Sequence, residues 1–258
     1  MRRLYPDNIA AVDFGNSTVK VYRVDFDEPD EVECLRFKDL NDAKMLVGRD
    51  TVDHVAFLST GEISAADRNF IKENGWWEFT SETPVPMEVY YDRATLGPDR
   101  LAVALACSKM FDEGGCLIVD AGSALTLDVI SYSGEFLGGN ISPGKRMRFR
   151  ALHEFTSRLP YVNGGVVGSR FGQTTEDAIR AGVMMGIVDE ITGSYLDAVK
   201  RYEIENIVFT GGDAEVIAES VVDKIRELGE TPCRMILDEG LVGKGLIEAY
   251  IYNHEENI

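Results

Sequence analysis

Two short segments of this chain combine a carboxylate with a turn of small, polar residues. The first is Asp13-Phe14-Gly15-Asn16-Ser17-Thr18, with Lys20 close behind, and the second is Asp120-Ala121-Gly122-Ser123-Ala124-Leu125-Thr126. Glycine lets backbone N–H groups approach an anionic oxygen, Ser and Asn add donors, and an Asp can hold Mg²⁺ through water on the same phosphate chain. The chemistry on offer is therefore phosphate binding, from two sides of a triphosphate. Asp-x-Gly turns also occur in ordinary hairpins, so the argument rests on the pair and not on either copy. Neither G-x-x-x-x-G-K-[ST] nor a well-placed G-x-G-x-x-G occurs, which removes the basis for a P-loop or a Rossmann reading.

The elements around these turns repeat as well. Ile9 to Asp13 is a short apolar run, Thr18 to Val24 alternates with period two, and Val32 to Phe37 alternates again, predicting a hairpin and a third strand. A helix is expected over Asn41 to Val47, a buried strand over Val55 to Leu58 and a helix over Ala65 to Asn74. After Pro84 and Pro86 the chain is extended through Met87 to Tyr91. Gly97-Pro98 then opens a helix running to about Phe111, with proline in its first turn, where a missing N–H costs nothing. Beyond Glu113-Gly114-Gly115 the order starts afresh: strands Cys116 to Asp120, Leu125 to Ile130 and Glu135 to Asn140, then a helix from Lys145 to Phe155. After a loop rich in Gly and Val come a long helix from Glu176 to about Arg201, strand Ile207 to Thr210, helix Glu215 to Glu227, strand Arg234 to Leu237 and a last helix from Val242 to Tyr252. Val12-Asp13-Phe14-Gly15 aligns with Val119-Asp120-Ala121-Gly122. The pattern predicts an α/β protein of two similar domains, residues 1–113 and 114–258, enclosing a cleft with one of the two acids on each wall.

Composition narrows the function classes. The chain has 258 residues, 45% of them hydrophobic and 27% charged, enough for one large core or two ordinary ones. Lys+Arg 26 against Asp+Glu 44 leaves a net charge of −18, a potential that repels phosphate backbones and anionic headgroups, so neither nucleic acid nor a membrane is an expected partner. Apolar runs stay far below the roughly 20 residues of a bilayer crossing, and Met1-Arg2-Arg3 leads into Leu4-Tyr5-Pro6-Asp7 instead of an apolar stretch. A soluble, cytoplasmic protein is the expectation. Cys34, Cys107, Cys116 and Cys233 are scattered and read as buried thiols; His54, His153 and His254 are dispersed too. That disfavours zinc, a disulfide framework and a Cys/His nucleophile. The acidic runs Asp25 to Glu28 and Glu255-Glu256 read as solvated ends.

The ordered motifs resemble the type III pantothenate kinases over nearly the whole length. The resemblance rests on Asp13-Phe14-Gly15-Asn16-Ser17 with Lys20, on Tyr91-Asp92 followed by Gly97-Pro98-Asp99-Arg100, and on Asp120-Ala121-Gly122-Ser123-Ala124 with Thr126 and Asp128. It continues through Gly138-Gly139-Asn140-Ile141-Ser142-Pro143-Gly144, Ala151-Leu152-His153, Thr156-x-x-Leu159-Pro160 and Gly172-x-x-Thr175-x-x-Ala178-Ile179-x-x-Gly182. Ser123 stands where the family usually has Thr and keeps the hydroxyl; Pro98 fills a variable position, and Ala94 replaces a common Pro.

The resemblance implies two ribonuclease-H-like domains, the actin-like ATPase fold, around a nucleotide cleft. It implies ATP-dependent phosphorylation of pantothenate to 4′-phosphopantothenate, the first step of coenzyme A biosynthesis. Asp13 would organise Mg²⁺–ATP, with Gly15, Asn16, Ser17 and Lys20, together with Gly122 and Ser123, about its phosphates. Gly211 and Gly212 would let the adenosine pass close to backbone. Asp99 would be the general base; Tyr91, Gly97, Pro98 and Arg100 would hold pantothenate; Thr175 would reach it from the second subunit of a homodimer. Asp120 would bind the monovalent cation, K⁺ or NH₄⁺, that the family requires. In isolation Asp99 also reads as an acid at a helix start, where the helix dipole favours it, beside a paired arginine. A nucleotide-sensing regulator on the same fold is the alternative from another class, and family relatives have been named as transcriptional accessory factors. Such a sensor has no need for Gly97-Pro98-Asp99-Arg100 with Tyr91. A sugar kinase of the same superfamily would want a longer chain with a larger sugar-binding insertion. The long helix carries apolar Ile179, Val183, Met184, Ile187, Val188 and Ile191 over more of its circumference than one core needs, a pattern that anticipates a partner helix.

Overall fold

The computed structural model describes residues 8–24, 32–48, 51–111, 114–165 and 167–254. The two acidic runs noted above lie outside them. Two compact units emerge, one of Met1–Asp112 with Gly134–Phe136 and Glu239–Ile258, the other of Glu113–Ser133 and Leu137–Asp238.

The first unit contains β1 (Ile9–Phe14), β2 (Val19–Val24), β3 (Val32–Phe37), α1 (Leu40–Val47), β4 (His54–Ser59), α2 (Ala65–Asn74), β5 (Trp77–Glu78) and α3 (Pro98–Met110), and it takes back the last helix of the chain, α7 (Leu241–His254). Its sheet has the order β3-β2-β1-β4-β5. β2 lies antiparallel to β1 and β3, while β4 lies parallel to β1 and β5. Every residue of β1 is buried, as a central strand with both faces covered requires. Small polar caps start the helices: the Asp39 carboxylate accepts the Asn41 N–H, and the Ser64 hydroxyl accepts the Asp67 N–H.

The second unit repeats the plan with β6 (Gly115–Ala121), β7 (Ala124–Ile130), β8 (Phe136–Pro143), α4 (Lys145–Glu154), α5 (Thr175–Tyr202), β9 (Ile204–Thr210), α6 (Ala214–Glu227) and β10 (Arg234–Leu237). Its sheet order is β10-β9-β6-β7-β8. β6 pairs antiparallel with β7 and parallel with β9. Counted from the first strand of each unit, both sheets read 3-2-1-4-5, so the repeated Asp-x-Gly segment heads the middle strand each time. The α/β expectation and the paired domains hold.

The contiguous division after residue 113 is replaced by a more interwoven one. Helix α7 belongs with the first unit because its glycines remove side chains where it crosses: a Cβ at Gly243 would run into the Tyr22 ring and one at Gly245 into the Ala102 carbonyl. Helix α3, buried from Arg100 through Cys107, lies against that helix and accordingly lacks a polar face. The stretch expected to be extended after Pro86 joins no sheet and makes a single bridge, Val89 to Phe136. The fifth strand is Trp77–Glu78 instead, pairing with Ala56 and Phe57. Of the cysteines, Cys107 and Cys116 are buried and Cys34 and Cys233 half-buried; all four are free thiols.

The apolar spread of α5 is satisfied within its own unit. Ile179, Val183, Ile187, Val188 and Ile191 are buried in one core with Phe149, Leu125, Phe209 and Ile217, and Met184 packs against it. The core wraps this helix from the sheet, α4 and α6, so the excess apolar face does not by itself call for a second chain.

Candidate active site

In the first unit, the β1–β2 turn carries its acid inward. Asp13 is 5% exposed. Lys20, directly opposite in the antiparallel register, places its Nζ 3.4 Å from Asp13 Oδ2. The other oxygen, Oδ1, is buried without a hydrogen-bond partner. Burial pushes the Asp13 carboxyl up from its ordinary value, Lys20 pulls it down, and the negative charge of Asp99 raises it further. The carboxylate at the start of α3 is thus near enough to the one on β1 for its charge to be felt there. The turn is braced from below by a loop that sequence reasoning missed. The Thr60 and Gly61 N–H groups donate to the Phe14 carbonyl at 3.0 and 3.1 Å, and a Cβ at Gly61 would stand 3.0 Å from the Gly15 oxygen. Ser59-Thr60-Gly61 directly after an apolar strand was the available signal. Gly15, half-buried, closes the turn by donating to the Thr18 carbonyl at 3.1 Å, while Asn16 and Ser17 are exposed at its tip.

Asp99 sits in the first turn of α3, behind Pro98, and its Oδ1 accepts the Arg100 N–H at 2.9 Å. Gly97 leaves that oxygen its place, since a Cβ there would run into it and Asp99 would have to shift. Arg100 is 5% exposed. Its guanidinium lies over the Tyr91 ring at 4.9 Å and donates from Nη1 to the Tyr91 hydroxyl at 3.4 Å. Arg93 fixes the approach to this tyrosine by donating to the Ser81 and Thr83 carbonyls, both at 2.6 Å. Tyr91, Asp99 and Arg100, distant in sequence from Asp13 and Lys20, belong to the same unit as that pair.

In the second unit, half-buried Asp120 ends β6 between Thr126 of β7 and Thr210 of β9. Backbone crowds round its turn. Gly211 takes φ +93°, and a Cβ there would stand 2.5 Å from Asp120 Oδ1 and 2.6 Å from the Ala121 carbonyl carbon, so only glycine fits. Gly122 N–H donates to the Ala124 carbonyl at 3.0 Å, and Gly144 N–H to the Ser123 carbonyl at 3.2 Å. Lys145 pairs with Asp213, tying the start of α4 to the turn after β9. Neither Lys145 nor Gly144 was singled out as a site residue, though Pro143-Gly144 before a helix was visible. Gly212 is exposed, and a Cβ there would meet no protein atom within 4 Å. Thr175 is exposed at the start of α5, just after Thr174, which caps that helix by accepting the Asp177 N–H. Among the described residues no group of three or more His, Cys, Asp or Glu side chains could hold a metal ion, and no helix is long and apolar enough to cross a membrane.

A family model described as type III pantothenate kinase matches residues 9–197, a span holding Asp13, Tyr91, Asp99, Arg100, Asp120 and Thr175. The chain belongs to the type III pantothenate kinase family. Curated family relatives span almost the same length. A type III pantothenate kinase of Phocaeicola vulgatus is 35% identical over 247 residues, covering 94% of this chain and 97% of that one. One from Porphyromonas gingivalis is 36% identical over 218 residues, 81% of this chain and 88% of the relative. Among solved structures, a Baf family protein from Campylobacter jejuni superposes with TM-score 0.60 at 23% identity, over 95% of this chain and 99% of that one. A ROK family glucokinase from Streptomyces griseus, in complex with glucose and AMPPNP, gives TM-score 0.52 at 12% identity, over 94% and 97%. At such identities these two show the fold alone, which is that of the sugar kinases and actin-like ATPases. Kinases of this family use ATP with a divalent metal, and Asp13 Oδ1 is a buried carboxylate oxygen without a hydrogen-bond partner, the chemistry of a hard-cation ligand.

Proposed function

We propose that this chain phosphorylates pantothenate at the expense of ATP, giving 4′-phosphopantothenate, the first committed intermediate towards coenzyme A. The observation that carries the reading is the grouping of Asp99, Arg100 and Tyr91 beside Asp13 and Lys20. A nucleotide sensor needs only the phosphate machinery; an acceptor site with a base and an anion-holding arginine is the equipment of a transferase.

Phosphoryl transfer asks for positioning, charge neutralisation and a base near the hydroxyl. Arg100 and Tyr91 hold pantothenate, whose carboxylate suits a guanidinium, with Gly97 and Pro98 shaping the helix start. Asp99 orients the primary hydroxyl and takes its proton as the new P–O bond forms. Gly15, Asn16 and Ser17 offer donors to ATP phosphates, as do Gly122 and Ser123 in the second unit, with Gly211 keeping backbone close to the nucleotide; Gly212 follows in the same turn. Asp13 would hold Mg²⁺, with Lys20 beside it. When bound, Mg²⁺ neutralises charge building on the phosphate oxygens. Asp120, beside Gly211 and Gly122, would be the seat of a monovalent cation, K⁺ or NH₄⁺. The active form is a homodimer in which Thr175 reaches pantothenate bound to the second subunit.

The test is a mass-resolved assay of the purified protein with Mg²⁺–ATP, KCl and either pantothenate or a panel of hexoses. A phosphorylated product from pantothenate alone supports the reading. Nucleotide binding without transfer to any acceptor sinks it.

A further inference from the structure

The arginine of the acceptor site has two aromatic walls, and only one of them is Tyr91. Phe136 supplies the other. Its ring centroid lies 5.9 Å from the Arg100 guanidinium and 5.9 Å from the Tyr91 ring, at an interplanar angle of 45°. Phe136 is fully buried at 0% exposure. It is distant in sequence from both partners, at the start of β8, yet Gly134–Phe136 belongs to the first unit. Backbone bonds fix it there: Tyr90 N–H donates to the Phe136 carbonyl at 2.8 Å, and Phe136 N–H to the Glu88 carbonyl at 2.9 Å. The Tyr90 hydroxyl adds a bond to Glu135 at 3.3 Å.

A guanidinium as buried as Arg100 has given up much of its hydration, and aromatic faces compensate a desolvated cation more strongly than an exposed one. Two walls also fix the plane of the fork. An arginine already held in place loses little side-chain entropy when a carboxylate arrives, so the wall contributes to affinity without touching the ligand. We propose that Phe136 is a positioning residue for the acceptor: with Tyr91 it clamps the Arg100 guanidinium for the substrate carboxylate, setting affinity for pantothenate and leaving the transfer step alone. This rests on the assignment of Arg100 to pantothenate given above.

Phe136→Leu keeps an apolar side chain and removes the π face; Phe136→Met serves as a second such variant, and Phe136→Tyr restores the face. After thermal melting confirms folding, kcat and both KM values are measured for each. The expected result is a KM for pantothenate raised about tenfold in the Leu and Met variants, with kcat and the KM for ATP within about twofold and recovery in Phe136→Tyr. In an Arg100→Lys background, which lacks the planar group that stacks, Phe136→Leu is expected to shift the pantothenate KM less than about twofold. An unchanged pantothenate KM overturns the proposal, as does an equal loss in all parameters, or an effect that persists in full beside Arg100→Lys. Failure of both Leu and Met variants to fold also overturns it, since Phe136 would then serve the core and not Arg100. If the wild-type protein neither binds nor phosphorylates pantothenate, the functional reading itself falls. If it does both and Phe136→Leu is silent, only the positioning role is lost.

Discussion

Lys20 pairs with one oxygen of the Asp13 carboxylate and leaves the other without a hydrogen-bond partner. The ammonium stands 3.4 Å from Oδ2, while Oδ1 is buried with no hydrogen-bond partner. A buried anion half satisfied in this way is costly for folding and useful for binding a cation, the pattern expected where function is set against stability.

Asp13→Asn separates the two. Burial, the first cause, raises the folded-state value of the Asp13 carboxyl above its ordinary 3.8, so the folded protein binds more protons than the unfolded chain between those two values, and stability falls as pH rises through that window. The cost is absent below the ordinary value and fully present above the raised one. Asp13→Asn is expected to melt at or above the wild-type temperature at pH 8 without ligands, with the difference closing on acidification towards pH 4. Its kcat/KM for Mg²⁺–ATP should fall at least roughly 100-fold. Melting curves across pH and steady-state kinetics check both; a lower melting temperature at pH 8 would mean that Asp13 is chiefly structural.

Turnover should depend on a monovalent cation. Asp120 lies beside Gly211, where a side chain would run into its Oδ1, and its carboxylate is the group proposed to hold the ion. Replacing K⁺ by Na⁺ or by a bulky organic cation is expected to abolish most activity, and Asp120→Asn to raise the K⁺ concentration needed for half-maximal rate by at least roughly tenfold. Full turnover in the organic cation alone would remove the assignment.

Shared sites are tested by complementation. Thr175 lies exposed at the start of α5 in the second unit and Asp99 in the first. Mixing inactive Thr175→Ala with inactive Asp99→Asn should restore up to about a quarter of wild-type activity through heterodimers. Subunit exchange shown by tagged species, with no recovery, would count against sites built from two chains.

The legible parts of this protein were local ones. Period-two stretches and small-residue turns revealed both hairpins, and the Val12-Asp13 and Val119-Asp120 alignment revealed the duplication that the sheets repeat strand for strand. What escaped depends on distant contacts. Nothing near Gly243 and Gly245 announces that their missing side chains admit Tyr22 and the Ala102 carbonyl, so the last helix was assigned to the wrong unit. Phe136 reads as one more apolar residue opening a strand; only its pairing with Glu88 and Tyr90 brings it to Arg100. The apolar girth of α5 looked like a dimer surface because a helix surrounded by its own sheet and by α4 and α6 has the same pattern.

The central claim is that this chain carries an acceptor site whose base is Asp99. Asp99→Asn keeps the shape, removes the charge and retains an oxygen for the Arg100 N–H, so ATP affinity by calorimetry and pantothenate turnover on that one variant decide the matter. The expected result is a kcat lowered by roughly 10²–10⁴, the range of a general base, with ATP affinity within a few-fold of wild type. Near-normal turnover would reduce Asp99 to an acid at a helix start, and lost ATP binding would move it to the phosphate side of the site.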